Sequence, residues 1–207
     1  MKIDYIKRWS LVLPLLSILT AVQPGLGLAH EGMDHGDMQA MAKIPLKRTT
    51  VRYEVPNVML MDATGKKQAL REILADKSPL MLNFIFTSCT SICPVMSGVF
   101  SQVQSRFSKQ GQHVRMVSIS IDPEYDTPAR LKDYAKNFSA GPDWLMLTGD
   151  VQDSITVQRA FDAYRGDKMN HLPITYLRAG PDQPWMRLDG LASASELVAE
   201  YHHLTAP

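Results

Sequence analysis

Two periods of apolar residues alternate along this chain. "PLMLNFIF" (79–86) is a nearly unbroken apolar run between Pro79 and Thr87-Ser88, the length of a strand buried on both faces. "HVRMVSISID" (113–122) alternates as a second central strand, and "WLMLTG" (144–149) reads as a third. Between these runs the period changes to that of a helix. Val95, Met96, Val99, Phe100, Val103 and Phe107 share one face over 95–107. "DTPARLKDYAKNF" (126–138) opens with Thr127 as N-cap and Pro128 at the first helical position. "VQDSITVQRAFDAY" (151–164) and "SASELVAEYHHL" (193–204) are further helices, the second with Ser193 and Glu196 in capping-box register. "VPNVMLMDATGK" (55–66) predicts a strand pair turning at Thr64-Gly65, and "QALREILADK" (68–77) a helix on Leu70, Ile73 and Leu74. "ITYLRA" (174–179) and "PWMRLDG" (184–190) predict antiparallel strands around Gly180-Pro181. This order implies an α/β fold, a central mixed sheet flanked by helices, with an N-terminal β-hairpin.

The first 50 residues read differently. Lys2, Lys7 and Arg8 precede an uncharged run from Trp9 to Ala29 that ends in Gly27-Leu28-Ala29, the pattern of a signal peptide over 1–29. An uncleaved membrane anchor is the alternative, weakened by Pro14, Pro24, Gly25 and Gly27. Either way the domain is exported, to the periplasm in a bacterium, and it meets the membrane only if this segment is retained. Residues 30–50 hold almost no large apolar side chains besides methionine and read as a flexible lead-in, leaving 51–207 as one folded domain. Lys and Arg total 22 against 21 for Asp and Glu, without the clustered basic residues of a nucleic-acid surface.

Cys89 and Cys93 are the chain's two cysteines, set in "FTSCTSICPVMS" where the central strand hands over to a helix. That is the carboxyl edge, where open α/β sheets place their sites. A helix N-terminus offers unpaired N–H groups and partial positive charge, which favour thiolate over thiol. A domain of this size has no need of a disulfide staple, so a redox pair or a grip on a soft metal ion fits better.

The strand ending in "FTSC", the "CTSICP" spacing, "SISIDPEYDTPARL" and "HLPITYL" together resemble the Sco/SenC family of thioredoxin-fold copper proteins over roughly residues 50–205. The resemblance implies a thioredoxin-like fold with Cys89, Cys93 and His171 as ligands to copper, Cu(I) or Cu(II). It also implies a metallochaperone that delivers copper to a client protein, the family's usual one being cytochrome c oxidase with its binuclear copper site on subunit II. A periplasmic copper donor or thiol reductant would serve it. Two thiolates and one imidazole suit trigonal Cu(I) and tolerate Cu(II) with a further ligand. Family members often carry a proline and an acidic residue between the cysteines, where this chain has Thr90, Ser91 and Ile92.

Pro173 stands two residues before Thr175, where disulfide reductases of this fold place a cis-proline. It supports an alternative of a different class, a thiol–disulfide oxidoreductase that keeps a client's cysteines reduced. There Cys89 would attack and Cys93 resolve. A peroxiredoxin-like peroxidase fits less well, because no arginine stands out as a partner to its cysteine.

"HEGMDHGDMQAM" packs His30, Met33, His35, Met38 and Met41 into twelve residues. Thioether and imidazole are soft-to-borderline donors, so this segment is a candidate for weak copper recruitment, set against a tail in which methionine is incidental. Asp126 reads first as part of a helix start, with the alternative, implied by the resemblance, that its loop lies near the cysteines and supports them; His113, His202 and His203 read as surface residues.

Overall fold

The computed structural model describes residues 45–206, and residues 1–44 and 207 lie outside the described part. Eight strands form one mixed sheet: β1 (Lys47–Val51), β2 (Met59–Asp62), β3 (Lys67–Ala69), β4 (Leu80–Ile85), β5 (Arg115–Ser120), β6 (Trp144–Thr148), β7 (Ile174–Arg178) and β8 (Trp185–Asp189). Their spatial order is β1-β8-β7-β4-β5-β6-β2-β3. β4, β5 and β6 run parallel, and β7, β8, β1 and β2 join antiparallel. Among the described residues, five α-helices accompany the sheet: α1 (Leu70–Leu74), α2 (Ile92–Lys109), α3 (Pro128–Asn137), α4 (Val151–Ala160) and α5 (Ala194–Thr205).

Every residue of β4 is buried, because helices cover both faces of the sheet. Met81 and Ile85 point into a layer with Phe100, Phe107, Met116, Leu131, Trp144 and Leu197, under α2, α3 and α5. Leu80, Leu82 and Phe84 point the other way, to Leu70, Ile73, Val117, Val157, Phe161 and Tyr176, under α1 and α4. Each such side chain contributes about 1.5–3 kcal/mol by leaving water. The parallel links β4–α2–β5 and β5–α3–β6 then carry both strand ends, and the loops after them, to one edge.

The local chemistry expected at several helix starts is present. The Thr127 hydroxyl accepts from the Arg130 N–H at 3.4 Å, with Pro128 first in α3, and Ser193 and Glu196 form a reciprocal capping box on α5. Asp62 closes the turn between β2 and β3 by accepting from the Thr64 N–H, the Thr64 hydroxyl and the Lys66 N–H. Gly65 there takes a φ of 88°, a left-handed conformation that glycine adopts without strain.

Three boundaries differ from the sequence expectation. Residues 47–50, assigned to the lead-in, belong to β1, which pairs with β8 from Lys47↔Asp189 to Val51↔Trp185. The strand is polar and almost wholly exposed at the sheet edge, so no apolar alternation marks it. The helix expected from residue 68 starts at Leu70, because Lys67–Ala69 pair with β2 instead. α4 stops at Ala160 and not at 164: the Phe161 carbonyl accepts from the Tyr176 hydroxyl at 2.8 Å, and Asp162 turns to a φ of 51°. His202 and His203 are exposed as expected, and His113 pairs with Asp143 on the surface.

Candidate metal centre

β4 ends at Ile85, and the chain crosses residues 86–91 before α2 begins at Ile92. Ser91 occupies the N-cap position, yet its hydroxyl makes no capping hydrogen bond. The Cys89 sulfur lies 3.6 Å from that hydroxyl, and the Cys93 thiol and the backbone N–H groups of Cys93 and Ser91 act to stabilise its charge. Burial opposes ionisation, but the Cys93 thiol and these donors prevail and bring the Cys89 pKa down to about 4. Cys93, fully buried, is pushed the other way, by sharing its proton with Cys89 and by burial. Both cysteines are free, Cys93 in the first turn of α2 and Cys89 in the loop just before it.

Asp126 holds the strand end beneath them. Its buried carboxylate accepts from the Thr87 N–H at 3.1 and 3.2 Å, from the Thr87 hydroxyl, and from the Ser120 hydroxyl at 2.6 Å. Sequence reasoning took Asp126 for part of the helix start, but capping falls to Thr127 alone. Asp126 fastens the cysteine loop to the β5–α3 loop. From Ser97, one turn beyond Cys93 on α2, a hydrogen bond of 2.8 Å runs to the Tyr134 hydroxyl on α3. Tyr134 has its pKa raised, chiefly by burial, and the charges of Cys93 and Cys89 act on it too.

His171 follows a single 3-10 turn, Lys168–Asn170, and donates its N–H to the Lys168 carbonyl at 3.1 Å. Its ring meets the buried Phe86 ring edge-on, with centroids 6.3 Å apart. The ring Nε2 is buried and has no hydrogen-bond partner. Burial lowers the imidazole pKa, against the opposing effects of the Cys89 charge and the Phe84 carbonyl, and so favours the neutral form a metal requires. An orphaned buried imidazole nitrogen that feels the Cys89 charge is a donor suited to a soft ion.

The structure thus pairs Cys89 with Cys93 and brings His171 to the same sheet edge. Among the described residues, no group of three or more His, Cys, Asp or Glu side chains is close enough to hold an ion as placed. Leu172–Pro173 is not cis, nor is any other described peptide bond, so the cis-proline of disulfide reductases is not formed. His30, Met33, His35, Met38 and Met41 lie outside the described residues. Lys168, which the sequence did not single out, binds the Asp122 carboxylate with its ammonium 5.6 Å from the Phe86 ring centre. Its only sequence signal is its place three residues before His171.

A family model described as SCO1/SenC matches residues 54–206. The chain belongs to the SCO1/SenC family. The SCO1 protein homolog of Bacillus subtilis is 34% identical over 106 residues, which is 51% of this chain and 54% of that protein. The matched stretch spans about half the length of such curated relatives. Among solved structures, BsSco, a Sco protein with a disulfide switch from the family of cytochrome c oxidase assembly proteins, superposes with a TM-score of 0.63. It is 26% identical, over 76% of this chain and 96% of that one. Bradyrhizobium japonicum ScoI with copper bound superposes with a TM-score of 0.58 at 26% identity, over 70% of this chain and 96% of that one. The mixed sheet flanked by helices is therefore the thioredoxin-like architecture of the Sco proteins.

Proposed function

We propose that this SCO1/SenC protein is an exported copper metallochaperone that holds copper through Cys89, Cys93 and His171 and passes it to a client, cytochrome c oxidase in the first place. The observation that carries this reading is the buried, unpartnered Nε2 of His171 at the sheet edge that presents the two free cysteines. The copper named for Bradyrhizobium japonicum ScoI and the oxidase assembly role named for the BsSco family support the cargo and the client. Cu(I) binding releases the shared Cys93 proton and leaves two thiolates and a neutral imidazole as donors.

Anaerobic copper titration of the reduced chain, followed by visible absorption of the Cu(II) form, tests the site. One equivalent at the cysteine site with intense thiolate charge-transfer bands is expected, apart from any weaker Cu(I) held by the N-terminal segment. His171→Ala keeps Cu(I) on two sulfurs but loses most of the Cu(II) bands, because Cu(II) depends on nitrogen and oxygen donors. Full-strength Cu(II) bands in His171→Ala exclude the histidine as a ligand.

The low Cys89 pKa favours a second reading, a thiol–disulfide oxidoreductase for a client's cysteines. In that case disulfide exchange with a small-molecule disulfide proceeds at the same rate in His171→Ala, and loss of copper binding leaves the cellular role intact. The reading of 1–29 as a signal peptide or anchor sets either activity outside the cytoplasm, where a copper donor or thiol reductant would act on it.

A further inference from the structure

The segment that carries His171 is weakly held. Residues 166–170 bond mostly to themselves: the Asn170 N–H to the Asp167 carbonyl at 3.0 Å, the His171 N–H to the Lys168 carbonyl at 3.1 Å, and the Met169 N–H to the Asp167 carboxylate at 2.8 Å. Met169 is 75% exposed and Leu172 43% exposed, so packing fixes little of it. Among the described residues, the hydrogen bond that ties residues 166–170 to another element is that of the Lys168 ammonium to the Asp122 carboxylate.

Asp122 is itself anchored. Its N–H bonds to the Ser120 hydroxyl at 3.0 Å, and its carbonyl accepts from the N–H groups of Tyr125 and Asp126 at 3.0 and 2.8 Å. Asp126 in turn holds Thr87, two residues before Cys89. The cysteine loop and the histidine segment are therefore each fastened to the β5–α3 loop, one through Asp126 and the other through Lys168. Phe86 closes the ring from inside, with the Lys168 ammonium over its face and the His171 imidazole at its edge.

We infer that the Lys168–Asp122 pair is a strap that positions His171 against the Cys89–Cys93 pair. An ordinary surface ion pair contributes little. This one differs because the Asp122 side chain is only 12% exposed and has no other side-chain partner among the described residues, so losing Lys168 strands a largely buried carboxylate. Lys168 acts through the loop and touches no sulfur, so it is a positioning residue. The inference rests on His171 being a copper ligand, and its test has one arm with copper and one without.

The variants are Lys168→Met, which keeps the length and apolar stem but removes the charge, and Lys168→Arg, which restores the charge. In the metal-free full chain, amide exchange at Asn170 and His171 should speed up by about threefold to tenfold in Lys168→Met and return to the starting rate in Lys168→Arg. With copper, Cu(I) stoichiometry should hold in both. The Cu(II)–thiolate bands should weaken and broaden in Lys168→Met and recover in Lys168→Arg. Unchanged exchange and an unchanged Cu(II) spectrum in Lys168→Met overturn the strap and leave the metallochaperone reading standing. A starting chain with no Cu(II)–thiolate bands, but with exchange that responds to Lys168→Met, overturns the copper reading and keeps the strap.

Discussion

The surroundings of the Cys89 sulfur set its chemistry. The Cys93 thiol and the backbone N–H groups of Cys93 and Ser91 favour the anion over the opposing effect of burial, which brings its pKa down to about 4. The sign gives a direct prediction. Between pH 5 and 8 Cys89 is thiolate, whereas a free thiol of pKa about 8.5 is mostly protonated. The rate of Cys89 alkylation should therefore be flat from neutral pH to about pH 9 and should fall only in acid, halving near pH 4. Cys93 should stay unmodified in the folded protein. A Cys89 rate that climbs through pH 8 excludes the thiolate. The sequence carried this site because strand end, cysteine and helix start are adjacent in the chain. It did not carry the donor set, which depends on backbone N–H groups that only the folded loop brings to the sulfur. His171 was legible only through family resemblance: a lone histidine ahead of a strand carries no local sign that its Nε2 is buried and unpaired.

At the scale of elements, capping chemistry and long-range polar ties were unequally readable. Thr127-Pro128 and Ser193…Glu196 are local patterns, and both form as the sequence indicates. β4 was plain because a strand covered on both faces carries continuous apolar residues, and β5 showed by its alternation, while β1 was hidden because a solvated edge strand needs neither. Asp126 belongs to neither group, since its partners Thr87 and Ser120 lie on two other segments that meet only in the fold. The two roles separate by magnitude. Thr127→Ala removes one cap bond, about 1 kcal/mol. Asp126→Ala leaves the Thr87 N–H and two hydroxyls unpaired inside the protein, which should cost about 2–4 kcal/mol, or roughly 5–15 °C in melting temperature. Equal melting temperatures for the two variants, measured by circular dichroism, would return Asp126 to the part of a helix start.

For the whole molecule, sheet register decides where the N-terminal segment can act. Lys47 of β1 stands opposite Asp189, and Asp189 opposite Ile174, the first residue of β7. Asn83 of β4 stands opposite Thr175, so Phe84 comes level with Ile174. The row Lys47–Asp189–Ile174–Phe84 therefore marks one end of the sheet, the end from which the chain goes on to Cys89 and back to His171. Three strand spacings separate Lys47 from β4, about 14 Å. Met41 precedes Lys47 by six residues, a reach of up to about 20 Å, and Met38, His35 and Met33 extend further. Were this segment to recruit copper, thioether and imidazole donors tethered at this distance would act on the site at an effective concentration of about millimolar. Cu(I) caught there would move by ligand exchange alone: thioethers and imidazole would leave, the two sulfurs bind, the Cys93 proton go to solvent, and no electron change hands. Replacing Met33, His35, Met38 and Met41 with serine should leave the Cu(II)–thiolate spectrum at saturation unchanged. It should lower the total Cu(I) bound and slow the loading of the cysteine site at micromolar protein by at least about tenfold. In the unchanged chain that loading should follow first-order kinetics, with a rate constant independent of protein concentration. Equal stoichiometry and equal loading rates in the two chains would show that the methionines of this segment are incidental to copper.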